Sequence, residues 1–587
     1  MKSLHIRKLF ALFLVLSVVL GQFSGHASAL AEETDTLDVT SLYKQRDVDS
    51  TYDAAECTSI ALDGTTAQIV GSGATVKDGI ITITEEGTYL LAGSFQGRIE
   101  IRADEKAKVR LILQGVTIES PEGPAIYEVS ADKVILTLAE DSVNVLKDTV
   151  SMADGEDTIN GTIYCADDLS INGAGTLQVM AANHGIVTKD DLVIAGGVIS
   201  VDAALDAVRG RDSVLVLDGT LTLTAGSDGI CATNAEKEEK GWLVIAGGDI
   251  TIKTGSGAGE FTTRAQGGMM RGGWNYSGWG DQDDGNPSQK GLKAATDLYI
   301  LDGTIQIDAT DDTLHAANVT VSGGTLNLSS GDDGIHADSV LDISGGTIHI
   351  TQSSEGLEAV TIRIRGGEID LLASDDGVNA AGGVDGSGYG GWYDEFSDGG
   401  QELIITGGTL RINAYGDGLD SNGSITMSGG TVIVSGPTDS GNGAIDYNGT
   451  FTLTGGILVA TGATGMMQNV TASENQATIL TYLSSTAAAG SQVEVKDGSG
   501  NVLLTFSPEK NYQCILVSTP DIQTGDTISI LVDGSSVFSE QITQSVTGTG
   551  SGMGGFGGGF GGGPGGRQPQ GGDFGGFGGG NGGGRRR

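Results

Sequence analysis

The chain is short of cysteine, proline, tryptophan, positive charge and long apolar runs, and each shortage removes a class of protein. Of 587 residues only four are cysteine (Cys57, Cys165, Cys231, Cys514), too few and too scattered for a disulfide framework. Cys165 and Cys231 fall about three coils apart in the register below, roughly 14 Å at ~4.8 Å per coil, beyond disulfide reach. Lys and Arg number 32 against 75 Asp and Glu, a formal charge of −43, which argues against nucleic acid as a partner. After the apolar run Phe10–Leu20 no stretch reaches the ~18 residues that a membrane helix needs. There is no HExxH, no P-loop and no G-x-S-x-G, and the six histidines show no zinc spacing.

What the chain has in abundance is glycine, 98 residues against 8 prolines, as expected of many tight turns between short strands. The glycines recur. Gly324, Gly346 and Gly367 are 22 and 21 residues apart and open the copies SGGTLNLSSGDDGIHADSV, SGGTIHITQSSEGLEAV and RGGEIDLLASDDGVNAAG. Each copy has a Gly-Gly turn, an alternating apolar strand and an acidic Asp/Glu-Gly turn. A period of this length without helical spacing predicts a β-solenoid, all-β, with coils of about 21–22 residues.

Around this repeat the chain divides into five parts. Residues 1–31 carry a basic start, a short apolar core and small residues at Ala27-Ser28-Ala29, which predicts a cleaved export signal and a secreted, possible cell-surface, location. Residues 32–88 are expected to form an N-terminal cap, 89–476 the solenoid, and 477–545 a small antiparallel β unit. Residues 546–587 form a Gly-rich tail that cannot bury a core and is expected to be disordered. Two insertions, 255–290 and 382–401, interrupt the period with Gly, Trp, Tyr and Asp. In solenoids such insertions become loops on one flank, often the binding flank.

Residues one period apart stack into columns. An apolar column (Ile126, Ile163, Ile186, Val208, Ile230, Leu292, Leu314, Ile335, Leu357, Val378, Leu419, Ile445) is expected to point inward. Two positions earlier runs an acidic column, Asp206, Asp228, Lys290, Asp312, Asp333, Glu355, Asp376 and Asp417, with Asp311, Asp332 and Asp375 beside it. Asp-Gly is an ordinary turn pair, Asp capping its own turn and Gly taking positive φ. Carboxylates stacked at ~4.8 Å nevertheless repel, and a calcium ion with Ca–O near 2.4 Å bridges two such rungs. Calcium is therefore the expected cofactor, held among Asp311, Asp312, Asp332, Asp333, Glu355, Glu358, Asp375, Asp376, Asp417 and Asp420.

One position after the apolar column lies a third: Arg209, Cys231, Lys293, His315, His336, Glu358, Asn379, Asp420, Asp446. Its basic first half reads either as a solvated face or as a groove gripping an extended polymer. In the second reading Arg209, Lys293, His315 and His336 meet a sugar chain, and Trp274, Trp279, Trp392 and Tyr393 from the insertions stack on its rings.

With the turns D-D-G-I-H-A, K-G-L-K-A (290–294), G-P-A-I-Y (123–127), S-N-G-S-I-T-M-S-G-G (421–430) and S-G-N-G-A-I-D-Y (440–447) in view, the chain resembles a family of secreted bacterial carbohydrate-binding proteins of clostridia and relatives. The resemblance spans roughly residues 55–545. It implies a right-handed parallel β-helix with bound calcium, binding cellulose or acidic, pectin-like polysaccharide without cleaving it. A calcium-dependent polysaccharide lyase, with Lys293 as base, and an adhesive surface protein are the alternatives.

Overall fold

The computed structural model describes residues 37–150, 159–263, 288–381 and 399–548. It is a parallel β-helix. A single coil shows how the repeat builds it: Leu314–Val321 bends once and serves two sheets, and Thr325–Ser330 serves a third. The next coil repeats this with Ile335–Ile343 and Thr347–Ser353, and the next with Leu357–Ile364 and Glu368–Ala373. Each strand hydrogen-bonds in parallel to its equivalent one coil away.

The interior is a stack of aliphatic rungs. The expected apolar column pairs residue on residue from Ile126 to Ile445, and every member is fully buried. Alternation places Leu326 and Leu328 inward from the third sheet, and Val319 and Val321 inward from the second. No coil closes a core alone, so each depends on its neighbours.

Glycine is selected at two corners for two different reasons. Gly346 takes φ +88°, a region costly for residues with a Cβ. Gly334, Gly356 and Gly377 do not take positive φ, contrary to the expectation for the Asp-Gly turn. What excludes a side chain there is crowding. A Cβ on Gly356 would sit 2.3 Å from the carbonyl oxygen of Gly377 and 2.9 Å from the Leu371 side chain.

Parallel stacking begins before Tyr89, since Ile80–Ile83 already pairs with Arg98–Arg102. The segment 477–545 divides into two parts. Ala477–Ala487 and Tyr512–Thr519 continue the solenoid's sheet in antiparallel sense, while Val493–Asp497, Val502–Phe506, Thr527–Val532 and Ser535–Gln541 form a separate four-stranded antiparallel sheet. At the other end, Leu37, Val39, Leu42 and Tyr43 pack on Val193, Leu215 and Val244 of the second sheet's outer face. Asp47 then pins this strap: its carboxylate meets the buried Lys133 ammonium at 2.7 Å and accepts from Ser170 at 2.8 Å. The expected export signal (1–31) and all but the first residues of the Gly-rich tail lie outside the described residues. All four cysteines are free.

Candidate functional site

The acidic column lies at the corner where the third sheet turns into the first. Its first role is to cap the backbone. The side chain of one rung accepts the N–H of the next rung along: His184 from Asp206 (3.1 Å), Asp206 from Asp228 (3.1 Å), Asp228 from Lys290 (2.9 Å) and Asp312 from Asp333 (3.0 Å). Asp333 does so for Glu355 (3.2 Å), and Asp376 for Asp417. The expectation that each Asp caps its own turn is therefore corrected: the cap crosses between coils. One carboxylate oxygen is occupied in this way, and the second remains to be satisfied.

In the first half of the column the protein supplies its own cations, from the third column three residues on. Arg209 lies 3.6 Å from Asp206, His315 2.8 Å from Asp312, and His336 3.1 Å from Asp333. Lys293 reaches Asp228 at 3.7 Å, and Lys290, the basic member of the acidic column, reaches Asp311 at 3.0 Å and Asp312 at 2.6 Å. Burial works against ionising Asp312, but Lys290 and the two histidines outweigh it and hold the carboxyl well below its usual range. His336 is likewise penalised by burial, yet its bonds to Asp333 and Glu358 push it up to about 12. The His315 and His336 rings stack at 4.7 Å, the spacing of the rungs.

From Glu355 onward the sign of the partner changes. Three residues after Glu355 comes Glu358, after Asp376 comes Asn379, and after Asp417 comes Asp420. Burial pushes Glu355, Asp376 and Asp420 well above the usual carboxylate range, and neighbouring acids push the same way: Glu358 on Glu355, Asp417 on Asp376 and on Asp420. Asp417 is raised to about 7 by burial, against the N–H of Gly443. These four keep an edge open to water although protein atoms crowd round them. Asn379 sits between Glu358 and Asp420 in the third column, 6% exposed. Its amide nitrogen donates to Glu355 at 2.7 Å, and its buried Oδ1 has no hydrogen-bond partner.

The site residues thus separate. Asp311 and Asp312 are met by internal cations, and Asp333 by His336, although burial and Asp332 still hold the Asp333 carboxyl well above its usual range. Asp332 lies with Asp311 and Asp312 in one close acidic group, and Asp375 stands beside Asp376 and shares in the repulsion on it. Glu355, Asp376, Asp417 and Asp420 form the uncompensated stretch, with Glu358 shared between it and His336. The third column is not an open basic strip: side-chain exposure is 24% at Arg209, 34% at Lys293, 13% at His315 and zero at His336. His336 therefore offers no surface to a polymer. Trp274, Trp279, Trp392 and Tyr393 lie outside the described residues. Sequence reasoning missed the roles of Lys290, His184 and Asn379. The available signal was the charge relation between residues three apart, acid with base at Asp206/Arg209, Asp312/His315 and Asp333/His336 and like or neutral from Glu355 onward.

Comparison with known proteins bears on the same coils. A family model described as "Carbohydrate-binding domain-containing protein" matches residues 77–334 and 317–388, together just over half the chain. A carbohydrate-binding domain-containing protein of Acetivibrio thermocellus is 44% identical over 186 residues, 31% of this chain and 65% of that relative. The chain thus spans just under two thirds of the relative's length. A solved structure described as a polysaccharide lyase-like protein from C. thermocellum, in a gadolinium derivative, is 27% identical, covering 49% of this chain and 96% of that one, with a TM-score of 0.37. The chain belongs to the carbohydrate-binding domain-containing protein family.

Proposed function

We propose that the protein is a secreted, non-catalytic binder of polysaccharide, of cellulose or acidic pectin-like type, whose solenoid holds calcium at the uncompensated stretch of the corner column. The observation that carries the calcium reading is the run Glu355, Glu358, Asp376, Asp417, Asp420, closed by the unpartnered oxygen of Asn379. Every donor in it is an oxygen, and hard divalent cations such as calcium take six to eight of these. Bound calcium would supply the positive charge that Lys290, His315 and His336 supply to the earlier rungs, and would offer a polymer carboxylate or hydroxyl a further point of attachment.

Binding is favoured over cleavage by the position of Lys293. It stands three rungs from Glu358, through His315 and His336, so about 14 Å separates it from the metal ligands. A base must lie within hydrogen-bond reach of the proton it takes. A polysaccharide array probed with and without calcium tests the reading: retention on at least one cell-wall polysaccharide, weakened by chelation, is the expected result. No retention on any polymer would remove it. Unsaturated uronate products after incubation with polygalacturonate and calcium would replace it with lyase chemistry.

A further inference from the structure

On the outer face of the first sheet, toward the N-terminal end of the solenoid, lies a shallow depression. Lys189, Arg209 and Arg211 line it, together with the polar side chains of Asn160, Thr188 and Thr233. Among the described residues that line it none is acidic. Lys and Arg make up 32 of the chain's 587 residues, and acids outnumber them by more than two to one. Here they are three of seven lining residues, a concentration of positive charge well beyond the chain's average.

The solenoid register brings the three together. Arg209 lies in the strand Val208–Gly210, and Arg211 follows two residues on, on the same face. His184–Thr188 pairs with that strand so that Thr188 stands against Gly210. Lys189 is thereby set one coil from Arg211, ~4.8 Å along the axis. The outward column that holds Arg209 continues through Val187 and Tyr164 to Tyr127, with no acid in that direction.

These cations have partners within the chain, and the partners leave room for another. Arg209 lies 3.6 Å from Asp206, a carboxylate that His184 already meets at 3.1 Å. Arg211 lies 3.4 Å from Glu236, which is 74% exposed. A pair in such contact with water contributes about 1 kcal/mol or less, so an incoming anion displaces it at small cost. Lys189 and Arg209 interact further within the chain, and a bound anion would join those contacts. The space in the depression is about 10 Å³, room for one water-sized group. That excludes a whole sugar ring and suits a single carboxylate, whose two oxygens match the fork of a guanidinium. A chain of charge −43 repels a polyanion at a distance, but salt screens that field beyond about 8 Å. The groups in direct contact therefore decide binding.

We propose that Lys189, Arg209 and Arg211 form a seat for one carboxylate of a uronate-type acidic polysaccharide lying on the outer face of the first sheet. The proposal rests on the polysaccharide-binding reading above and names where its acidic ligand is gripped. Arg209 stands five rungs from Glu358, through Cys231, Lys293, His315 and His336. About 24 Å thus separates the seat from the proposed calcium ligands.

The test is the affinity of the full chain for an oligogalacturonate and for its methyl ester, with calcium in excess, alongside retention on cellulose. A Lys189→Gln/Arg211→Gln variant should bind the acidic oligomer at least tenfold more weakly, with a flatter salt dependence. Its affinity for the ester and its retention on cellulose should equal those of the wild type. Asp206 keeps His184 and Arg209, so the melting curve and its response to EDTA should also be unchanged. Arg211→Gln alone, which loses only an exposed pair, should act in the same direction and serves if the double variant fails to fold. A folded variant that binds the acidic oligomer as the wild type does overturns the proposal, as does equal weakening on acid and ester. Wild-type retention on cellulose without affinity for the acidic oligomer also overturns it and leaves the carbohydrate reading standing, whereas binding to neither removes both.

Discussion

At the scale of the residue, two positions show how much a buried group depends on its neighbours. Leu357 stacks between Ile335 and Val378 and is fully enclosed. Leu357→Ala should cost about 3 kcal/mol through lost transfer energy and the cavity left behind, read as a lower midpoint in urea. Leu357→Asp should leave no folded protein, because an unpaired charge has no partner at that depth. Glu128 is the opposite case, a buried acid that the fold tolerates. Burial raises it to about 7, against backbone donors at Ala166 (2.6 Å) and Asp167 (3.0 Å). A folded-state pKa above the ordinary 4.5 means its contribution is complete below that value and is lost as pH rises through 7. Glu128→Gln should therefore lower the loss of thermal stability between about pH 5 and 8, measured by melting at a series of pH values. A pH profile identical to that of the wild type would contradict this assignment.

At the scale of the element, the corner turn and the strap differ in how far the sequence reveals them. The turn repeats, so a regular spacing of Gly and acid betrays both its position and its register. The strap occurs once, and nothing in Leu37–Asp49 announces that it lies across coils more than a hundred residues away. Its anchor is an ion pair with side-chain exposures of 5% for Lys133 and 2% for Asp47. Removing Asp47 leaves the Lys133 ammonium with Asp168 alone, at 3.7 Å, at a cost of up to about 3 kcal/mol. Asp47→Ala should release the strap and expose Val193, Leu215 and Val244, while the coils themselves persist. Hydrogen exchange should then rise in residues 37–50 and on the second sheet, with the middle coils still protected. Uniform loss of protection along the chain would mean that the strap supports the whole solenoid.

At the scale of the whole molecule, the column of carboxylates meets internal cations in its first half, where burial still raises Asp228 and Asp333, and meets further acids or an amide in its second. Glu355, Asp376 and Asp420 are raised well above their usual range and Asp417 to about 7, burial being the main cause in each. For acids raised in this way the metal-free fold is most stable at low pH and weakens as pH rises through their raised values, about 7 for Asp417. Calcium, if bound only to the native state as proposed, would offset that loss, by about 2.7 kcal/mol at a hundred times its dissociation constant. Chelation should consequently lower the melting temperature more at pH 8 than at pH 5, and calcium addition near pH 7 should release protons into weak buffer. A melting curve unchanged by EDTA at both pH values would leave the acidic column with its capping role alone.

The sequence alone determined the repeat, the inward column and the order of residues along each outward one. A solenoid places residue i above residue i plus one period, so linear spacing becomes spatial contact without further information. What only the tertiary structure decided is which oxygen of each acid is already taken, and which charge meets it. The caps cross from coil to coil, and Lys290 turns to Asp311 and Asp312 rather than to solvent. His336, basic in the sequence and expected on a polymer-binding face, is enclosed between Asp333 and Glu358. The direction of a side chain about a corner is set by packing against the next coil, and one-dimensional spacing carries no record of it. The same holds for the strap and for the closing strands Ala477–Ala487 and Tyr512–Thr519. Each occurs once, so no repetition betrays its place, and only the burial of particular apolar faces put it there.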